Sequence, residues 1–71
     1  MRAAILKKGS RGEAVRSLQA LLKAAGYYQT YNLDGLFGPG TEASVVDFQE
    51  DTHRLKVDGV VGPATWGALD G

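Results

Sequence analysis

Two copies of one short motif contain the residues of this chain that could take part in catalysis or in ligand binding. The chain reads DGLFGPGT over residues 34–41 and DGVVGPAT over residues 58–65. The two aspartates, Asp34 and Asp58, could act as a general acid and base if they faced one cleft. Acidic loops could instead hold a cation, and the glycines could cradle a phosphate. Each of these alternatives competes with a structural role for a repeated turn.

Turn chemistry explains the repeat better than catalysis does. Each Asp directly precedes Gly, a pair typical of tight turns because Asp bonds to following amides and Gly accepts positive φ. Pro39 suits the first position of a helix, with Gly38 as its N-cap. We therefore predict a connector that closes a turn and starts a helix. In this interpretation the second glycine begins the helix at a position where a side chain would be crowded. Phe37 and Val61 fill equivalent places in the core.

The residues that the other chemistries require are missing. The chain has no Cys and a single His, His53, which stands in the sequence DTHRL without a nucleophile–base motif. The carboxylates do not follow calcium-loop spacing, and the glycines lack the Gly-Lys-Ser/Thr ending of a phosphate loop. We expect no catalytic residue, no metal site and no cofactor.

Length and charge restrict the class of protein further. A chain of 71 residues with 44% hydrophobic residues is one small globular domain, residues 1–71. No apolar run approaches the roughly 20 residues of a membrane helix. The apolar stretch near the start of the chain, Ala3 to Leu6, is too short to be the core of a signal peptide. Six of the eight basic residues precede Asp34, and seven of the eight acidic residues lie from Asp34 onward. The net charge is zero and the basic half lacks a stripe of stacking aromatics, so we expect no nucleic acid as a partner. We also expect no membrane partner, and a monomer.

The spacing of apolar residues predicts an all-α fold. Ser10 and Glu13 form a capping-box pattern, so helix 1 is predicted at about 11–25, ending at Gly26. Helix 2 is predicted at about 39–52, and a short helix begins at Pro63. AVRSLQ in helix 1 matches SVVDFQ in helix 2, and each is followed by an Asp-Gly turn. The predicted fold is a compact three-helix bundle-like domain with two helix-plus-turn repeats and a short closing helix.

The ordered combination of these positions resembles the bacterial peptidoglycan-binding domain family over about residues 6–69. The first half reads L-x-x-G-x-x-G-x-x-V-x-x-L-Q-x-x-L-x-x-x-G-Y, from Leu6 to Tyr27. Phe48-Gln49 and DGVVGPATW, ending at Trp66, continue the pattern. The resemblance implies a small, non-catalytic three-helix module that holds an attached cell-wall hydrolase on its polymer. It also implies peptidoglycan and a covalently linked catalytic domain as partners. The implied location is the cell wall, extracellular or periplasmic, although this chain shows no export signal.

The resemblance leaves the ligand open, because a related fold serves in a metalloprotease pro-segment. The alternative is a protein-docking or structural domain that binds no wall. The first repeat copy has six more residues between its Val and its Asp than the second, and that segment contains all three tyrosines. Tyrosine offers a flat face for stacking and a hydroxyl for hydrogen bonds. The candidate ligand-binding residues are Tyr28, Tyr31, Tyr27, Asp34 and Phe37.

Overall fold

Three α-helices form the fold of this chain in a computed structural model, which describes residues 5–28, 33–52 and 54–70. Helix α1 spans Glu13–Ala24, α2 spans Pro39–Asp51 and α3 spans Pro63–Asp70. Across these described ranges there is no strand longer than an isolated bridge. The all-α prediction is therefore confirmed, and both prolines stand at the first helical position, as expected of a residue that lacks the N–H.

A glycine with positive φ precedes each helix by four residues. Gly35 and Gly59 have φ of 73°, as predicted for the two Asp-Gly turns, and Gly9 has φ of 99° before α1. The sequence KGSRGEA, residues 8–14, thus forms a third turn of this type without the aspartate. The turn–helix unit is present three times, once more than the sequence repeat indicated.

The segment before α1 connects the two Asp-Gly turns to each other. Leu6 and Val61 exchange backbone hydrogen bonds of 3.0 and 2.8 Å in an antiparallel bridge. Further along the segment, the amide of Gly12 donates to the carbonyl of Gly35, and that of Phe37 donates to the carbonyl of Ser10, both at 2.9 Å. The segment before α1, which turns at Gly9, therefore fixes the starts of α2 and α3 against the start of α1.

The predicted capping box is wrong. Helix α1 begins after Gly12, which makes no side-chain capping bond. The Ser10 hydroxyl lies one turn earlier and accepts from the amide of Lys7 at 3.1 Å. The Ser10 hydroxyl is thus used by the preceding turn, and the isolated bridge between Arg11 and Leu36 lies between Ser10 and the helix start.

The core contains side chains from all three helices and from the turns between them. Phe37 is 2% exposed and Val61 is fully buried, which confirms their equivalent places in the core. Both follow the positive-φ glycine by two residues, so each turn directs one apolar side chain inward. The buried hydrophobic residues are Leu6, Val15, Leu18, Leu22, Tyr28, Phe37, Val45, Phe48, Val61 and Trp66.

The tight space in each motif lies at its first glycine, and the prediction for the second was wrong. A Cβ on Gly35 would lie 3.1 Å from the carbonyl oxygen of Gly12, and one on Gly59 would lie 3.3 Å from the Glu42 side chain. A Cβ on Gly38 or Gly62 would meet nothing within 4 Å. The first glycine is needed for both its φ and its closeness to a neighbouring segment, whereas the second stands at an open helix start.

Candidate functional site

A buried glutamine organises the first Asp-Gly turn. The Gln19 side chain is fully buried on α1. Its Nε2 donates to Asp34 Oδ1 at 3.1 Å, to the Leu36 carbonyl at 3.0 Å and to Thr41 Oγ1 at 3.1 Å. Its Oε1 accepts from the amide of Gly35 at 2.9 Å. One side chain thus ties the turn to the first turn of α2 and satisfies polar groups that burial would otherwise penalise.

Gln49 on α2 repeats this arrangement at the second turn. Its Nε2 donates to Asp58 Oδ1 at 3.2 Å, to the Val60 carbonyl at 2.9 Å and to Thr65 Oγ1 at 3.2 Å. Its Oε1 accepts from the amide of Gly59 at 2.9 Å. Four bonds of the two networks correspond, and Gln49 Oε1 accepts in addition from the amide of Asp58 at 3.1 Å. The sequence repeat thus encodes a hydrogen-bonded framework as well as an apolar one.

The aspartates do structural work in these turns. Asp34 Oδ1 accepts from the amide of Leu36, and Asp58 Oδ1 accepts from the amide of Val60, both at 2.9 Å. These amide bonds are the largest cause that holds the pKa of each carboxyl below its ordinary value of 3.8, with the glutamine bonds adding to them. Both carboxyls are therefore ionised at neutral pH and poorly suited to act as a general acid.

A concave surface opens where the first turn meets the start of α2. We call it groove 1; its volume is about 330 Å³. It lies over the N-terminal end of α2, where the first amides of a helix have no intrahelical partner. Its lining residues are Tyr28, Asp34, Leu36, Gly38, Pro39, Gly40 and Thr41.

Groove 1 brings together two of the five predicted site residues. Tyr28 and Asp34 both line it, and Tyr28 is 8% exposed. Phe37 is a core residue and does not line the groove. Tyr31 lies outside the described residues.

Tyr27 has a structural environment of its own. Its ring meets Phe48 edge-on with the centroids 5.4 Å apart, and its hydroxyl donates to Asp51 Oδ2 at 3.0 Å. That hydrogen bond is the first cause of the raised pKa of Tyr27. Tyr27 therefore fastens the end of α1 to the end of α2, away from the lining of groove 1.

Sequence reasoning missed two kinds of residue at this site. Gln19 was recognised as part of the repeat but given no role, although a glutamine within an apolar helical stripe signals a buried hydrogen-bonding group. Leu36 was not singled out; it is 52% exposed and lines the groove. Arg11 pairs with Leu36 across the antiparallel bridge, which places their side chains on the same side of the backbone.

Two other kinds of site find no support in the described part of the chain. No group of three or more His, Cys, Asp or Glu side chains there could hold a metal ion. None of its helices is long and apolar enough to cross a membrane. The chemistry that this surface offers is recognition through an aromatic ring, an apolar side chain, a carboxylate and helix-start amides.

The comparisons with known proteins agree with this geometry. The profile of the peptidoglycan binding domain family matches residues 11–69. The chain is 46% identical over 67 residues to the zinc D-Ala-D-Ala carboxypeptidase of Streptomyces albus G, covering 90% of this chain and 25% of that enzyme. The chain spans between 18% and 55% of the lengths of three curated relatives that it matches.

Two solved structures share the fold closely. The N-terminal domain of SleB superposes with a TM-score of 0.88 at 40% identity, covering 96% of this chain and 90% of that domain. The endolysin of Burkholderia phage AP3 gives a TM-score of 0.85 at 40% identity, covering 96% of this chain and 25% of the endolysin. The match is a minor part of the carboxypeptidase and of the endolysin, as expected of an accessory binding domain beside a catalytic one. The three helices, the repeated Asp-Gly turns and these matches together show that the chain belongs to the peptidoglycan-binding domain family.

Proposed function

We propose that this domain binds peptidoglycan through groove 1 and thereby holds an attached wall hydrolase on its polymer. The observation that carries the proposal is the convergence of Tyr28, Asp34 and the exposed Leu36 at the open start of α2. The hydrolases and the endolysin that this chain resembles support the partner and the location at the cell wall. The domain itself supplies attachment, so its effect is a higher local concentration of the tethered enzyme.

The lining of groove 1 suits a ligand rich in amides. The Asp34 carboxylate can accept from an N–H, and the first-turn amides of α2 can donate to a carbonyl or carboxylate. Leu36 and the accessible edge of Tyr28 offer apolar contact beside these polar groups. Peptidoglycan carries amides both in its acetamido sugars and in its stem peptides, so either component presents complementary groups. Each contact is shallow, which fits a weak single-site affinity.

A groove-filling substitution at Gly40 tests this proposal without disturbing the turn. Gly40 lines the groove, an added Cβ there meets nothing within 4 Å, and its φ is not positive. We expect Gly40→Leu to lower retention on insoluble peptidoglycan by at least about tenfold, which corresponds to about 1.4 kcal/mol or more. The measurement is cosedimentation of the purified domain with the polymer over a range of polymer concentrations.

The matched control is Ala20→Leu, which adds a similar side chain at an exposed position of α1 outside the groove. We expect its retention to equal that of the wild type. Equal retention of Gly40→Leu and Ala20→Leu would contradict the placement at groove 1. Failure of the wild-type domain itself to sediment with the polymer would contradict peptidoglycan binding and would favour the protein-docking alternative.

A further inference from the structure

A second groove lies at the second Asp-Gly turn, and it is built from the equivalent residues. We call it groove 2; its volume is about 190 Å³. Asp58, Val60, Gly62, Pro63, Ala64 and Thr65 line it, in the places that Asp34, Leu36, Gly38, Pro39, Gly40 and Thr41 take in groove 1. The repeated motif thus encodes two concave surfaces as well as two turns.

The polar framework beneath the two grooves is the same. Gln49 holds the Val60 carbonyl and Thr65 Oγ1 at 2.9 and 3.2 Å, as Gln19 holds the Leu36 carbonyl and Thr41 Oγ1 at 3.0 and 3.1 Å. An aspartate whose Oδ1 is bound to the turn stands at the rim of each groove. A ligand group that fits one groove therefore meets the same donors and acceptors in the other.

The remaining lining residues give groove 2 a different character. Tyr28 in groove 1 has no counterpart here, and Ile5, Leu55 and Lys56 take part instead. Ile5 is 64% exposed and is therefore available for apolar contact. Lys56 is exposed and adds a positive charge beside apolar surface, close enough to the Asp58 carboxylate to help lower the pKa of that group. This combination complements a short segment with small apolar side chains and a carboxylate.

We propose that groove 2 is a second peptidoglycan site, that it takes the carboxylate-bearing end of a stem peptide, and that one domain engages two segments of the polymer. This inference rests on the proposed function, because it uses the same ligand. Lys56 pairs with the peptide carboxylate, and Ile5 and Leu55 contact the methyl groups of its alanine residues. Since the domain measures only 28 × 23 × 20 Å, both grooves lie within reach of one repeating polymer.

Two weak sites explain how a small domain holds a polymer firmly. Once one groove is occupied, the neighbouring segment is at high effective concentration for the other, and avidity exceeds either affinity by roughly 10²-fold or more. Blocking one groove is therefore expected to weaken binding to the polymer far more than binding to a short fragment in the other groove.

Equilibrium dialysis with a soluble disaccharide-peptide fragment of peptidoglycan counts the sites. We expect two fragments per wild-type domain at saturation, one for Gly40→Leu, one for Ala64→Leu, and none for the double variant. Ala64 is the exposed equivalent of Gly40, so the two substitutions are a matched pair. Ala20→Leu is the control and should bind two. One fragment per wild-type domain, with Ala64→Leu unchanged, would overturn the second site and leave binding at groove 1 intact.

The charge of Lys56 gives a second, independent test. We expect Lys56→Gln to weaken the groove 2 affinity of the Gly40→Leu background about tenfold for a fragment with a free terminal carboxylate. The same change should leave an amidated fragment unaffected. Arg54→Gln removes the same charge two residues away, outside the lining, and should change neither affinity. Equal loss for both fragments, or for both substitutions, would overturn the role of Lys56. Absence of any binding by the wild type would instead contradict the proposed function itself.

Discussion

Gln19 and Gln49 are the residues on which both turns depend. Each is buried to 1% exposure or less, and each bonds to an aspartate, a carbonyl, a threonine hydroxyl and a glycine amide. A buried polar side chain is costly unless its hydrogen-bonding groups are satisfied, and the described residues contain no buried side-chain N or O atom without a partner. The glutamines therefore specify where each following helix begins.

Truncation of these glutamines should be strongly destabilising. Gln19→Ala removes the acceptor of the Gly35 amide and the donor to Asp34 and Thr41, and Gln49→Ala removes the corresponding bonds at the second turn. We expect each to lower the free energy of unfolding by about 2–4 kcal/mol, because several buried groups lose hydrogen bonds at once. Urea unfolding measures this. Glu50→Ala, at the exposed position next to Gln49, should change stability by less than about 0.5 kcal/mol. A similar small loss for either glutamine would contradict its organising role.

The turn aspartates should make stability depend on acid pH. Their pKa values lie below 3.8 in the folded chain because turn amides and glutamines bond to the carboxylates. A depressed pKa means that the unfolded chain takes up protons first as the pH falls. The stability from these carboxylates is therefore complete above their unfolded pKa and is lost as the pH falls through the folded pKa.

Thermal melts between pH 6 and pH 2 check this expectation. The double variant Asp34→Asn, Asp58→Asn keeps an oxygen acceptor for the turn amides but cannot titrate. Its melting temperature should fall less steeply below pH 4 than that of the wild type. Asp47→Asn, an exposed substitution on α2 outside the turns, is the control. A double variant that follows the wild-type curve would show that the turn carboxylates do not set the acid limit.

At the scale of elements, each helix start is set by the glycine four residues before it. Gly35 combines φ of 73° with a close approach to Gly12, and Gly40 lies in the first turn of α2 with open space beside it. Substitution of these two glycines of one motif should therefore change the free energy of unfolding in opposite directions.

Alanine substitution separates these roles. Gly35→Ala should lower the free energy of unfolding by more than about 1–2 kcal/mol, because a left-handed conformation and a contact at 3.1 Å both oppose the methyl group. Gly40→Ala should raise it by about 0.5–1 kcal/mol, since alanine loses less backbone entropy in a helix. Chemical denaturation of the two variants compares them directly. A neutral Gly35→Ala would mean that the turn accepts another conformation.

The positions of the helices could be predicted from the sequence more readily than the grooves could. The 3.6-residue spacing, the prolines and Gly26 placed all three helices to within two residues, because these signals act locally. The capping box predicted at Ser10 is not formed, since its hydroxyl bonds to the amide of Lys7 and Arg11 pairs with Leu36, which is distant in sequence. The grooves were not predictable from local pattern, because each forms only where a turn meets a helix start. Of the candidate ligand-binding residues, Tyr28 and Asp34 line groove 1, whereas Phe37 lies in the core.

At the scale of the whole molecule, the repeat gives one small domain two equivalent faces. The segment over residues 5–12 bonds to both Asp-Gly turns, so the two grooves are held in a fixed relation by backbone hydrogen bonds. A rigid pair of shallow sites suits a polymer of repeating units, because such a polymer can present one unit to each groove. This arrangement makes attachment to an extended polymer the central claim of the account.

Amide NMR titration of the domain with soluble peptidoglycan fragments tests that claim most directly. We predict concentration-dependent shifts for the amides of Tyr28 and of residues 33–41, which form groove 1. Residues in the middle of α1 should stay unchanged, since they lie outside both grooves. Absence of any shift at saturating fragment would contradict the account. Shifts confined to α3 and the second turn, with Tyr28 and residues 33–41 unchanged, would contradict the placement at groove 1.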